Sequence, residues 1–297
     1  MSRLVKERVN GPRKLRELLS SREILLAPGA FDALSARLVE FTGFEVVYMT
    51  GFGTSAGLLG YPDVGLLTMS EMVDNARRIV DAVNIPVIAD ADTGYGNPIN
   101  VIRTVQEYER AGVAGIHIED QVFPKKCGHI SGKEVIPADD MVQKIGAAKD
   151  VKSPDFLLIA RTDAIAVEGL DSALERARQY HRAGADMIFV EAPENLEQIE
   201  IIGRELRGIP LLFNWAEGGR TPPVSLDMLR RLGFKLVIFP VSALLSATLA
   251  MKSVLEQIKR DGTPANVMDK LYPFKEFLNF IGLPEVQSLE KKYVTRR

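Results

Sequence analysis

The chain has 297 residues, 26% of them charged, a formal net charge of −2, 46% hydrophobic residues and one cysteine. That length supports one large core, and a near-neutral charge with no basic stripe excludes a nucleic-acid binder and argues against a membrane-surface protein. No apolar run of about 18 residues is present, the charged N-terminal segment lacks a signal peptide's apolar core, and one unpaired cysteine predicts a cytoplasmic protein.

The first segment, about residues 1–22, has a charged helical pattern. Short apolar runs, mostly β-branched, then recur at Ile24–Ala27, Val46–Thr50, Pro86–Asp90, Gly115–Glu119, Leu157–Arg161, Met187–Glu191, Pro210–Asn214 and Leu236–Pro240. Continuous runs of this kind fit strands buried on both faces of a parallel sheet. Helical periodicity is clearest at Ser70–Val83, Ile99–Ala111, Gly169–Ala183 and Leu244–Lys259. Four strands are entered through a glycine, Gly43, Gly112, Gly184 or Gly233, placed where a left-handed residue ends the preceding helix. Eight helix–glycine–strand units predict a single α/β domain over 1–297. It would be a (β/α)₈ barrel of TIM type with a C-terminal helical extension from about 243 to 297. A doubly wound open sheet is the rival architecture.

Barrel enzymes work at the C-terminal ends of their strands. Here those ends carry Thr50-Gly51-Phe52, Asp90 and Asp92, His117 and Glu119, Arg161, Glu191 and Asn214, while the strand interiors are apolar. Asp90 and Asp92, two apart, share one face of an extended strand end, and Glu119 faces the same cavity. Converging carboxylates repel unless a cation is present, and hard oxygen donors suit Mg²⁺. The same carboxylates could instead cap helices or pair with Arg103, Arg161 or lysines. Backbone N–H groups in the glycine-bearing turn at Thr50–Thr54 can cradle an anionic oxygen. Arg161 seeks a carboxylate fork, from a substrate or from Asp163, Glu191 or Glu217. His181, late in a helical stretch, reads as structural. Cys127 sits in a turn beside Lys125, Lys126 and His129. Those cations would stabilise its thiolate, and the thiol reads as an acid/base or nucleophile next to a metal. As a free cysteine it could equally be a small buried apolar group.

These residues lie within longer motifs: PGAFDALSA from Pro28, YMTGFGTSAGLLGYPD from Tyr48, DADTGYGN from Asp90, HIEDQ from His117, PKKCGH from Pro124, ARTDA from Ala160 and EGGRTP from Glu217. In this order, from about Arg13 to the C-terminus, they resemble the isocitrate lyase/phosphoenolpyruvate mutase superfamily, and KKCGH resembles its carbon–carbon lyase branch. The resemblance implies a barrel whose last helix is swapped between subunits, a homotetramer, and Mg²⁺, with Mn²⁺ as a possible substitute. By the same resemblance Asp90, Asp92 and Glu119 hold the metal, partly through waters. Thr50, Gly51 and Phe52 hold the oxo-acid part, and Asp63 lies near the metal. Arg161 binds a substrate carboxylate, and Glu191 and Asn214 make further substrate contacts. Cys127 is the general acid of a mobile loop, with Gly128 and His129 beside it.

Members acting on 2-methylisocitrate carry a T-E-F-G-like run where this chain has Trp215-Ala216-Glu217-Gly218-Gly219, and arginines where Leu245 and Phe274 stand. Two missing cations argue against a third substrate carboxylate, since a desolvated unpaired carboxylate is strongly unfavourable. The EGGRTP run and the apolar residue at the second of these positions resemble instead the family's lyases of alkylated malates, and that resemblance implies Mg²⁺-dependent cleavage of a 2,3-dialkylmalate-like 2-hydroxy dicarboxylate to a 2-oxo acid such as pyruvate. The alternatives are P–C bond formation on a carboxyphosphono substrate, 2-methylisocitrate cleavage, or action on oxaloacetate. A non-catalytic dicarboxylate binder is disfavoured because none of the expected residues is lost.

Overall fold

The computed structural model describes residues 9–294. Eight parallel strands close into one barrel in sequence order: β1 (Leu25–Ala30), β2 (Val47–Met49), β3 (Val87–Asp90), β4 (Gly115–Glu119), β5 (Leu157–Thr162), β6 (Met187–Val190), β7 (Leu211–Asn214) and β8 (Phe234–Phe239). β1 pairs with β8, which excludes the open sheet. The four glycines expected to end helices all have φ between 86° and 119°.

The helices of the barrel unit are α1 (Gly11–Ser21), α2 (Ala33–Phe41), α3 (Gly51–Leu59), α4 (Met69–Ala82), α5 (Pro98–Arg110), α6 (Ala138–Val151), α7 (Ile165–Glu168), α8 (Leu170–Ala183), α9 (Leu196–Glu205) and α10 (Leu226–Arg231). Local sequence explains several of their starts. Thr68 and Glu71 form a reciprocal capping box on α4, and Asn97 caps α5 with Pro98 in the first turn. α1 is shorter than expected. Asn10 caps it with Pro12 in the first turn, and the expected helical residues before Val9 lie outside those described.

Two apolar layers follow from strand alternation. One lies between sheet and helices. The other fills the barrel, where Leu25, Ala27, Val46, Tyr48, Ile88, Leu157, Ile159, Met187, Phe189, Leu212, Leu236 and Ile238 pack with Leu15 and Leu18 of α1. Each such leucine contributes about 1.5–3 kcal/mol by burial. The barrel is therefore a packed core below a mouth at the strands' C-terminal ends.

The chain separates into two compact units, with the described barrel unit spanning 9–244. Helix α11 (Ser242–Asp261) begins in it, and the second described unit runs from 245 to 294. That unit continues through a 3₁₀ turn (Ala265–Lys270), α12 (Phe274–Phe280) and α13 (Leu283–Tyr293). Inside it the rings of Tyr272, Phe277 and Phe280 cluster with centroids 6.2–6.4 Å apart. Among the described residues no helix is long and apolar enough to cross a membrane.

Candidate active site

At the mouth the inward face changes from apolar to ionic within one step of two residues. Ile88 gives way to Asp90, Ile159 to Arg161, Phe189 to Glu191 and Leu212 to the polar Asn214, while on β4 the buried His117 precedes Glu119. Register then sets the neighbours: Asp90 pairs across from His117, and Glu119 from Arg161.

Arg161 forks onto Asp163 through Nε (2.9 Å to Oδ2) and Nη2 (3.1 Å to Oδ1). Its Nε also lies 3.2 Å from Glu119 Oε2, its Nη2 3.6 Å from Glu191 Oε1, and its guanidinium 5.1 Å from the Phe189 ring centre. Asp163 and Glu191 are thus partners, whereas Glu217 accepts from Ser242 instead. Although burial opposes ionisation of Asp163, Arg161 and Lys133 hold it below the usual carboxylate range. Asn214 Nδ2 donates to both oxygens of Glu191 at 3.2 and 3.3 Å. His129 Nδ1 accepts from the Arg220 N–H at 3.1 Å, and its Nε2 lies 3.4 Å from both Glu191 Oε1 and Asn214 Nδ2.

Asp92 does not continue the strand as expected. β3 ends at Asp90, and Asp92 has φ 46°. Asp90 Oδ1 accepts the Asp92 N–H at 2.9 Å, and the turn aims Asp92 at Lys125. Lys125 Nζ lies 2.7 Å from both Asp92 Oδ1 and Asp63 Oδ2. Thr50-Gly51-Phe52 is a helix start rather than a simple turn. Thr50 caps α3, its Oγ1 accepting from the Gly53 N–H at 3.2 Å. The first N–H groups of a helix have no intrahelical partner, so this start can receive an anionic oxygen. A Cβ at Gly51 would strike the Asp90 carboxylate, which fixes glycine there.

The surroundings of Cys127 reverse the expected thiolate. Lys125 turns to Asp63 and Asp92, Lys126 Nζ to the Gly132 carbonyl, and His129 to Glu191. Burial pushes the thiol up to about 11, against a smaller opposing effect of a backbone hydrogen bond from His129. The thiol is protonated at neutral pH. It rides on a loop held at Cys127 by its N–H to the Asp63 carbonyl (3.1 Å) and closed behind by the Gln121–Val135 bridge.

The residues fit a divalent ion by chemistry and charge. Among the described residues seven carboxylates are buried (Asp63, Asp90, Asp92, Glu119, Asp120, Asp163 and Glu191) against five lysine and arginine cations (Lys125, Lys133, Lys144, Arg161 and Arg176). Of these, six carboxylates and three cations (Lys125, Lys133 and Arg161) face the mouth, while Asp120 and Arg176 pair with each other outside it and Lys144 donates to the Thr93 carbonyl, which leaves an excess of three negative charges that a divalent ion would reduce. Glu119 Oε2 is buried without a hydrogen-bond donor. Burial raises both Glu119 and Asp92 above the usual range, more than Arg161 and Lys125 draw Glu119 down or Lys125 draws Asp92 down. Among the described residues no three acidic, histidine or cysteine side chains form a ready ligand set by themselves. Water ligands would have to complete the shell.

Sequence reasoning missed three residues here. Lys125 was legible as a cation but not as the partner of Asp63 and Asp92. Lys133 is buried, with Nζ 2.7 Å from Asp163 Oδ1 and 2.6 Å from the Gly128 carbonyl. Asp120 points out of the barrel and accepts from Thr162 Oγ1, the Asp163 N–H and Tyr180 OH at 2.7–2.9 Å. A carboxylate beside Glu119, at the parity that faces the helices, was its only signal. Three other expectations are also resolved. His181 is structural, with Nδ1 3.1 Å from the Ala185 carbonyl. The indole of Trp215 donates to the Val224 carbonyl and packs on Phe239. Leu245 and Phe274 belong to the C-terminal unit and are exposed.

The phosphoenolpyruvate phosphomutase family model matches residues 15–259. A 2,3-dimethylmalate lyase from Eubacterium barkeri is 50% identical over 97% of this chain and 100% of its own length. A 2-methylisocitrate lyase from Aeropyrum pernix is 48% identical over 90% of this chain and 86% of its own. A solved 2,3-dimethylmalate lyase, described as a PEP mutase/isocitrate lyase superfamily member, superposes with TM-score 0.91 at 39% identity, covering 97% of both chains. Phosphonopyruvate hydrolase in complex with oxalate and Mg²⁺ superposes with TM-score 0.88 at 32% identity, covering 97% of this chain and all of its own.

Proposed function

The chain belongs to the phosphoenolpyruvate mutase/isocitrate lyase superfamily, and on that premise we propose that it is a carbon–carbon lyase of 2,3-dialkylmalates. The observation that carries this is the seating of the Cys127 loop at a buried carboxylate-rich mouth, its N–H on the Asp63 carbonyl and the next residue, Gly128, packed against Glu191 and Arg161, where a thiol would act as an acid. A mutase forming P–C bonds has no task for such an acid.

Asp90, Asp92 and Glu119, with Asp63 nearby, would hold Mg²⁺ or Mn²⁺ partly through waters. The bound ion would stabilise negative charge on the 2-hydroxy acid oxygens. The phosphonopyruvate hydrolase relative is described in complex with oxalate and Mg²⁺, which supports a divalent ion in the proposed chemistry. The α3 start at Thr50–Phe52 would orient the part that becomes the 2-oxo acid. Arg161, with Glu191 and Asn214, would orient the far carboxylate, with Gly128 and His129 closing that side. The hydroxyl proton passes to the carboxylate layer as the O–C2 bond becomes a carbonyl. The C2–C3 bond breaks and its electron pair stays on C3. The Cys127 thiol then protonates C3, so 2,3-dimethylmalate would give pyruvate and propionate.

Among the described residues of the barrel unit, the buried cations at the mouth, Lys125, Lys133 and Arg161, are already paired with carboxylates and leave none for a third substrate carboxylate. The exposed Arg220 turns its guanidinium to Glu194 at 3.6 Å. The exposed apolar side chains of the C-terminal helices, Leu249, Leu255 and Phe274 among them, suit a helix exchanged within a homotetramer.

The test is 2-oxo acid release, with Mg²⁺, from 2,3-dimethylmalate, 2-methylisocitrate, isocitrate, oxaloacetate and phosphonopyruvate. The alkylmalate should be favoured over 2-methylisocitrate at least about tenfold in kcat/KM, equivalent to about 1.4 kcal/mol. Cys127→Ser should lose about 10²–10⁴-fold in cleavage. Preference for the tricarboxylate, or a serine variant within a few-fold of wild type, would overturn the reading.

A further inference from the structure

The loop that carries Cys127 ends at Lys133, a lysine that the proposed chemistry does not use. Its side chain is 1% exposed. A lysine is almost never this buried unless its charge is paired, and here the pairing is specific. Nζ donates to Asp163 Oδ1 at 2.7 Å and to the Gly128 carbonyl at 2.6 Å. The first partner belongs to the rigid barrel, for the Asp163 N–H donates to Asp120, itself held by Thr162 and Tyr180. The second is the backbone of the residue next to the thiol. Asp163 is also the carboxylate that forks Arg161. One ammonium therefore connects the loop's closed position to the anchor of the guanidinium.

We propose that Lys133 is a positioning residue: a latch that pins the Gly128 carbonyl to Asp163, so that Cys127 is seated only where Arg161 is clamped. The latch stands on these contacts alone, and only its catalytic meaning rests on Cys127 being the acid. Removing the ammonium leaves the Gly128 carbonyl without its donor and Asp163 with one cation instead of two. Hydrogen bonds involving a charged group are among the stronger single contacts, so the loop should open at least about tenfold more often.

Cys127 is the only cysteine, so its alkylation reports the loop directly. The full chain and its Lys133→Met and Lys133→Arg variants are treated with iodoacetamide at pH 8, with and without low urea, and the adduct is followed by mass spectrometry. Lys133→Met should be labelled at least about tenfold faster than wild type, with a rate indifferent to low urea because the opening is local. Lys133→Arg should fall between the two. With 2,3-dimethylmalate as substrate, kcat should fall in the same order while KM moves less. Labelling of Lys133→Met at the wild-type rate would overturn the latch. So would labelling that rises with urea as steeply as global unfolding does, since Lys133 would then be merely structural. Because labelling needs no turnover, failure of the latch and failure of the lyase reading give different results.

Discussion

Replacing Gly128 by alanine tests whether the closed loop is the working state. The added Cβ would run into Glu191 Oε1 and stand 2.6 Å from both Arg161 Nη2 and Glu191 Cγ. Neither neighbour yields easily, because Glu191 is held by Asn214 and His129, and Arg161 by Asp163. Gly128 is not among the glycines with left-handed backbone, so the effect is steric rather than conformational. Overpacking of this kind costs about 1–3 kcal/mol. Charged to the loop-closing equilibrium, that is roughly a 5–150-fold loss of the closed population, and the rigid neighbours place the effect toward the upper end. kcat for 2,3-dimethylmalate should fall by that factor. The thermal midpoint should stay within a few degrees, because the clash lies in a loop outside both apolar layers. Gly146→Ala on α6 is the control, since its Cβ meets nothing within 4 Å. It should leave turnover unchanged and match or exceed wild-type stability, as alanine is the better helix former. A Gly128→Ala enzyme with wild-type kcat would mean that turnover does not require this loop geometry.

Exhaustive chelation should abolish turnover yet lower the midpoint only modestly, because the apolar layers contain none of the site's ionic groups; full activity with no metal detectable by elemental analysis would remove the ion from the scheme. The thiol also has a defined pH signature. Burial raises its pKa to about 11, so the protonated form persists well above the range of an ordinary cysteine, and alkylation of Cys127 should be slow at pH 8 and climb until near pH 11. A plateau reached by pH 9 would show that the loop leaves the thiol in water.

The barrel was legible because parallel strands buried on both faces leave uninterrupted apolar runs, and because the chain leaves helices through glycine. Strand ends shifted by only a few residues; β4 did not shift at all. The inward ionic layer was legible for the same reason, as alternation carries a charged residue at a strand end into the mouth. Helix α3 was not, since GFGTSAGLL has no polar face to set a period and is held by its Thr50 cap and by burial. Ion-pair partners were illegible for a different reason. Lys125 meets Asp63 across 62 residues of sequence and Lys133 meets Asp163 across 30. Proximity in sequence therefore assigned Lys125 to the thiol beside it, when its charge serves carboxylates on other elements.

That reassignment changes how loop closure is driven. Two of the five buried cations, Lys125 and Lys133, belong to the loop that carries Cys127, while all seven buried carboxylates belong to the rest of the barrel unit. With the loop withdrawn, the mouth would hold an excess of five negative charges instead of three. Charges of one sign crowded in a poorly solvated site repel far more strongly than in water. The carboxylates that fit a divalent ion therefore also attract the loop, and each ammonium reaches its partner only when the thiol's backbone is in place. A metal ion held by Asp90, Asp92 and Glu119 would relieve the same repulsion as the two lysines. On the proposed chemistry, the thiol would thus be seated by the same charge distribution that the bond-breaking step requires.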